Sequence, residues 1–166
     1  MKTDILETEQ NNLALALLSL PKEERTLETT SYDYTVDYLI SLIEEGKIIL
    51  EMPFETDSLW KTERASKLIE SLLMNFPISL HYLTEQEDDK WLILDGKQRL
   101  FSIFNFYQNQ YKLTSLEILK EFESMRFNDL PPQAKRLINF SVMHLVLIRR
   151  NSHPDIVYNM AKRLKI

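Results

Sequence analysis

Five consecutive residues, Asp95-Gly96-Lys97-Gln98-Arg99, put a carboxylate, a conformationally free backbone position, two cations and a carboxamide within one short stretch of chain. Such a set can do two kinds of chemistry. An Asp with a Gln three residues on resembles a capping box, in which each side chain satisfies a free backbone N–H of a helix's first turn. That leaves Gly96, Lys97 and Arg99 without a role. A glycine at a first turn lets a ligand approach the backbone, the free N–H groups and the helix dipole favour an anion, and Lys97 and Arg99 add positive charge. Phosphate is the anion these groups fit. On this reading Gly96, Lys97, Gln98 and Arg99 bind phosphate, while Asp95 and Gln98 are the candidates for catalysis. Arg99→Ala should then weaken ligand binding with little effect on stability. The chain has only two glycines, so neither a Walker loop nor a GxGxxG fingerprint exists and any nucleotide site is of another kind.

The flanking elements explain the setting. "KWLIL" before Asp95 is a buried-strand run, whereas Leu100, Ile103, Phe104 and Tyr107 fall at helical spacing, so the five residues join a strand to a helix through a tight turn. Upstream, Val36, Leu39, Ile40 and Ile43 keep helical spacing as far as Gly46, which stands where a helix commonly ends in a left-handed residue. "KIILEMPF" reads as a strand. Ala65, Leu68, Ile69, Leu72, Leu73 and Phe76 form an apolar stripe along "KTERASKLIESLLMNF", the clearest amphipathic helix, which Pro77 stops. "ISLHYLT" and "KWLIL" then read as antiparallel neighbours across the acidic turn "EQEDD". "LALALLSL" (13–20) is a short helix ended near Pro21, too short to span a bilayer and preceded by acidic residues, and "PKEERTLETTS" (21–31) is a polar linker. The organisation expected is a leading helix and linker over 1–31 and one domain over 32–166.

Composition narrows the function. A formal charge of −5 and a pI near 5.3 argue against holding nucleic acid by bulk electrostatics, so any DNA contact is weak, local or made through a partner. Without cysteine there is neither disulfide nor thiolate chemistry, and His81, His144 and His153 are too scattered for a zinc cluster. No segment suits a membrane, and an intracellular, cytoplasmic home is the default. Glu55, Asp57 and Glu63, with Asp95, could hold magnesium through few protein ligands and several waters, but a solvated acidic surface is the simpler reading and no metal site is assigned. Trp60 and Trp91 could stack on a base; beside apolar helices they read first as core or core rim. Arg149, Arg150, Lys162, Arg163 and Lys165 need no ligand, because basic residues at helix ends oppose the dipole. His153 reads as a helix-start residue with Ser152 as cap.

"ILDGKQRLFSIFNF" resembles the Asp-Gly-Gln-Gln-Arg signature of GmrSD-type restriction endonuclease N-terminal domains, also called domain of unknown function 262, with Lys97 in place of the first Gln. The resemblance extends through "YTVDYLISLIEEGKIILEMPF", "LWKTERASKLIESLLMNFPISLHYL" and "FNDLPPQAKRLINFSVMHLVLI", from about Tyr32 onward. It implies a small α+β unit similar to the ParB and sulfiredoxin fold, with a mixed or antiparallel sheet and surrounding helices. It also implies a nucleotide-binding, NTP-hydrolysing module that uses magnesium and serves defence against modified foreign DNA, often beside an HNH nuclease domain. One departure stands out: where the family usually has a Gln-Arg pair in "MPFETDSLW", this chain has Glu55 and Thr56. A non-enzymatic regulatory or interaction module of the same fold is the alternative which that departure supports.

The ending "HPDIVYNMAKRLKI" resembles a family segment that runs on into more helices, with Met160 or Ala161 near a Phe and Lys165 in the place of an Asn. The expectation is a domain that works with a nuclease domain or subunit and does not cut DNA alone. An apolar helix face meant for the absent part would favour self-association.

Overall fold

The structure, a computed structural model, describes residues 26–50 and 59–164, with Ser19 and Pro21 besides. The helix expected over 13–20, most of the linker, Lys165 and the segment carrying Glu55, Thr56 and Asp57 lie outside the described residues.

The fold is α+β: one mixed five-stranded sheet with helices against it. Strand β1 (Thr29–Thr35) leads directly into helix α1 (Val36–Glu44), β2 (Ile48–Ile49) follows, and α2 (Thr62–Leu73) precedes the hairpin of β3 (His81–Glu85) and β4 (Trp91–Asp95). Helix α3 (Lys97–Tyr107) starts one residue after β4; a long irregular stretch then leads to α4 (Pro132–Phe140), β5 (Val142–Ile148) and α5 (Pro154–Leu164). The sheet order is β1-β5-β3-β4-β2, antiparallel for β1/β5 and β3/β4 and parallel for β5/β3 and β4/β2.

Three helices end by the same device. After α1, Gly46 is left-handed at φ +73°, its N–H bonds the Ile43 carbonyl, and the Lys47 N–H bonds that of Leu42. Asn75 after α2 and Asn109 after α3 repeat the pattern at φ 56° and 58°, Asn being the non-glycine that best tolerates this conformation. The helix of α2 therefore stops before Pro77 acts, and Phe76, expected on its buried stripe, points out and is half exposed. The rest of the stripe holds: Ala65, Leu68, Ile69, Leu72 and Leu73 are buried against α3, α4 and the sheet.

Strand β1 begins three residues inside the stretch read as linker. Its Tyr32 and Tyr34 alternate with exposed Ser31 and Asp33, and the sheet curls enough to bring Tyr32 within 5.4 Å of the Trp91 ring. The open side of the core is thereby closed by aromatic rings rather than by aliphatic ones.

Candidate functional site

The turn between β4 and α3 differs from a capping box. Gly96, not Asp95, is the residue before the helix; it is left-handed at φ 90° and, being glycine, supplies no capping side chain. Asp95 still belongs to β4, and its Oδ2 accepts from Arg99 Nη2 at 3.2 Å. Gln98 ties the turn to a distant segment: its Oε1 accepts the Trp60 backbone N–H at 3.1 Å. The first helical bond runs from Leu100 N–H to the Gly96 carbonyl.

Why position 96 must be glycine is also different from the expectation. A Cβ there would lie 2.4 Å from His81 Cδ2 and 3.0 Å from Arg99 Nη2. The space a side chain would occupy is filled by the protein itself. His81 opens β3 next to a register shift between Tyr82 and Leu83, and such bulges re-aim side chains beside functional turns. Its ring is fully buried, and its Nε2 accepts from Arg99 Nε at 3.4 Å, which requires the neutral ring. Burial pushes its pKa down from 6.5 to about 3, the Arg99 charge adds to this, and the His144 backbone opposes it without meeting hydrogen-bond geometry; Nδ1 has no partner among the described residues.

Arg99 is thus held at three points, since Nη2 also donates to the Leu80 carbonyl at 2.9 Å. It is a structural tie between β3, β4 and α3 whatever else it does, so its removal must cost stability, contrary to the expectation from sequence. Lys97 is the opposite case, with no hydrogen bond or ion pair among the described residues. A cavity of about 220 Å³ lies at the turn, lined by Trp60, Leu94, Asp95, Gly96, Lys97, Gln98 and Arg99. All five motif residues border it. Trp60 borders it too, half-buried, with the Arg64 guanidinium 4.1 Å from its ring centre; Trp91, by contrast, is core.

Other candidates separate cleanly. Ser152 does not cap α5: it is buried and bonds both backbone groups of Glu28, while His153 Nδ1 accepts from the Asp155 N–H at 3.3 Å. His144 pairs with Asp33 across β1 and β5 on the exposed side. Among the described residues no three His, Asp or Glu side chains could hold a metal ion, and no helix is long and apolar enough to cross a membrane. Neither Glu70 nor His81 was singled out from sequence as a site or anchor. The spacing that could have drawn attention to Glu70 is its place on the apolar stripe of α2, where a carboxylate must find donors.

A strand–turn–helix joint bordering a cavity, on a mixed sheet with helices, defines an α+β domain with a small cavity at one helix start. A family model for the GmrSD restriction endonuclease N-terminal domain matches residues 39–160, well over half of the chain, and the protein belongs to that family. It is a module of a restriction system. No curated protein and no solved structure matches the chain, so the expected likeness to the ParB and sulfiredoxin fold has no support from these comparisons.

Proposed function

We propose that this domain binds a nucleoside triphosphate at the β4–α3 turn and hydrolyses it, as the nucleotide-responsive part of a restriction system directed at modified foreign DNA and completed by a nuclease domain or subunit. The observation that carries the reading is the cavity itself: it brings a helix start, the left-handed glycine before it and Lys97, which makes no ion pair among the described residues, to one place. Backbone N–H groups at a helix start attract phosphate, and Lys97 adds a point charge. Lys97 and the backbone of Gly96 to Arg99 bind; Arg99 fixes the turn and lends its charge. Asp95, half-exposed, is the carboxylate placed to orient water or to meet magnesium. Magnesium bound to a triphosphate commonly takes only one or two carboxylates, and Asp95 fits that need; when bound, the ion neutralises phosphate charge.

A specific observation favours the second reading, binding without turnover. The side chains of Gln98 and Arg99 are already engaged with Trp60, Leu80, His81 and Asp95, so Asp95, itself paired with Arg99, is the one carboxylate of the motif to carry chemistry. Pure protein incubated with magnesium and each of ATP, GTP, CTP and UTP, with binding measured by calorimetry and phosphate release by colorimetry, separates the two. Release abolished by Asp95→Asn with binding kept supports the hydrolase; binding without release supports the regulatory module; no binding of any triphosphate overturns both. Under the same conditions modified and unmodified plasmid should stay intact, and metal-dependent nicking lost in a motif variant would overturn the assignment of cleavage to a partner.

A further inference from the structure

We propose that the indole of Trp60 is the wall on which the base of a bound nucleotide lies, with Gln98 as the residue that positions it; this rests on reading the β4–α3 turn as the phosphate site. The two tryptophans have different fates in the fold. Trp91 is buried in the core, whereas Trp60 stays half-buried and borders the same cavity as Asp95 to Arg99. Trp60 packs against the core with part of its ring and presents the rest at the cavity wall.

Trp60 is also held before any ligand arrives. Its backbone N–H is bonded by Gln98 Oε1 at 3.1 Å, so the span from the helix turn to the ring is set by one hydrogen bond from a motif residue. The Arg64 guanidinium lies over one face of the ring, 4.1 Å from its centre, and Arg64 makes no ion pair among the described residues that would pull it away. A preorganised aromatic loses little freedom on binding and stacks on any base, because every base has a π face. The cavity supplies the remaining polar group, the Asp95 carboxylate, 37% exposed, as an acceptor for an amine or sugar hydroxyl.

The experiment uses Trp60 emission in a Trp91→Phe background, with ATP, GTP, CTP and UTP titrated in turn against inorganic tripolyphosphate, and affinities repeated by calorimetry in the unaltered chain. At least one nucleotide should quench Trp60 and bind about tenfold or more tightly than tripolyphosphate, the ratio expected for one stacked base. Trp60→Ala should bring that nucleotide down to the affinity of tripolyphosphate and leave tripolyphosphate unchanged, while Trp60→Phe keeps most of the preference. Gln98→Glu, which preserves the acceptor, should keep the preference, and Gln98→Leu should lose it. Equal affinity of nucleotide and tripolyphosphate in the unaltered chain overturns the proposal, a comparison that needs no variant to fold. So does a Trp60→Ala loss that is the same for both ligands. A nucleotide that binds when tripolyphosphate does not would overturn the phosphate reading and support the wall; if neither binds, both fall.

Discussion

Two regions of the molecule gather backbone N–H groups, and they are finished differently. At Glu70, on α2, the carboxylate accepts the N–H groups of Glu117, Ile118 and Leu119 at 3.1, 2.7 and 2.8 Å. At the start of α3 no side chain caps the turn, and the nearest carboxylate, Asp95, is turned to Arg99 instead. The first region is an anion site filled by the protein's own anion, which pins the irregular stretch after α3 onto α2. The second has a glycine in place of a capping side chain, and a lysine that makes no ion pair among the described residues. Burial raises the pKa of Glu70, yet the three N–H groups and Lys120 outweigh it and hold the carboxyl below its ordinary 4.5. A side-chain anion is a fold device; a helix start preceded by glycine beside a cavity leaves its backbone approachable.

The comparison breaks most forcefully at Glu70. Glu70→Leu removes the charge and strands three N–H groups, and should cost about 4 kcal/mol in denaturant unfolding, each charge-assisted bond contributing about 1.5–3 less what water restores. The same contribution should fade with acid. Because the folded carboxyl has the lower pKa, its stabilisation is complete above the unfolded value of 4.5 and is lost as pH falls through the folded one. A Glu70→Leu protein as stable as the parent would mean that the stretch after α3 is held by its apolar contacts alone.

Next comes the glycine. Gly96→Ala meets both the left-handed backbone and the buried His81, and should cost about 3 kcal/mol, roughly 1–2 for the conformation and 1–3 for overpacking. Thermal denaturation within a degree of the parent would show that His81 moves aside freely. His81 itself gives the pH test on this side. Folding lowers its pKa from 6.5 to about 3, so the unfolded chain takes up the proton first and stability falls as pH drops from 6.5 toward 3. The slope for one proton is about 1.4 kcal/mol per pH unit, or about 2 kcal/mol between pH 6.5 and 5. Urea melts of the parent should show that loss, and His81→Gln should flatten it.

The smallest expected effect is at Arg99. Arg99→Ala gives up three bonds, but Leu80 is exposed enough for water to replace one of them, so the cost should be about 1.5 kcal/mol. Arg99→Ala with unchanged stability but weakened nucleotide binding would restore the purely ligand-binding role that the sequence suggested.

Much of the frame was legible because it follows from local rules. The stripe of α2, the end of α1 at Gly46 and the β3–β4 hairpin all depend on residues close in the chain, and all are present. Strand β1 was missed because its inward residues are tyrosines, whose burial depends on a curl that brings Trp91 near. Phe76 was misplaced because Asn75 ended the helix first, a cap that Asn takes less regularly than Gly.

At the site the division is similar. The sequence by itself determined that Asp95 to Arg99 join a strand to a helix with a glycine at the joint, since the change of hydrophobic period and the five residue types lie side by side in the chain. Only the tertiary structure decided what each residue does there. Gln98 meets Trp60, thirty-eight positions away, and Arg99 meets Leu80 and His81 across the sheet. The glycine is demanded by a histidine from another strand as much as by its own turn. Such pairings depend on strand order and register, which are set by the packing of the whole core and leave no local pattern in the residues that make them.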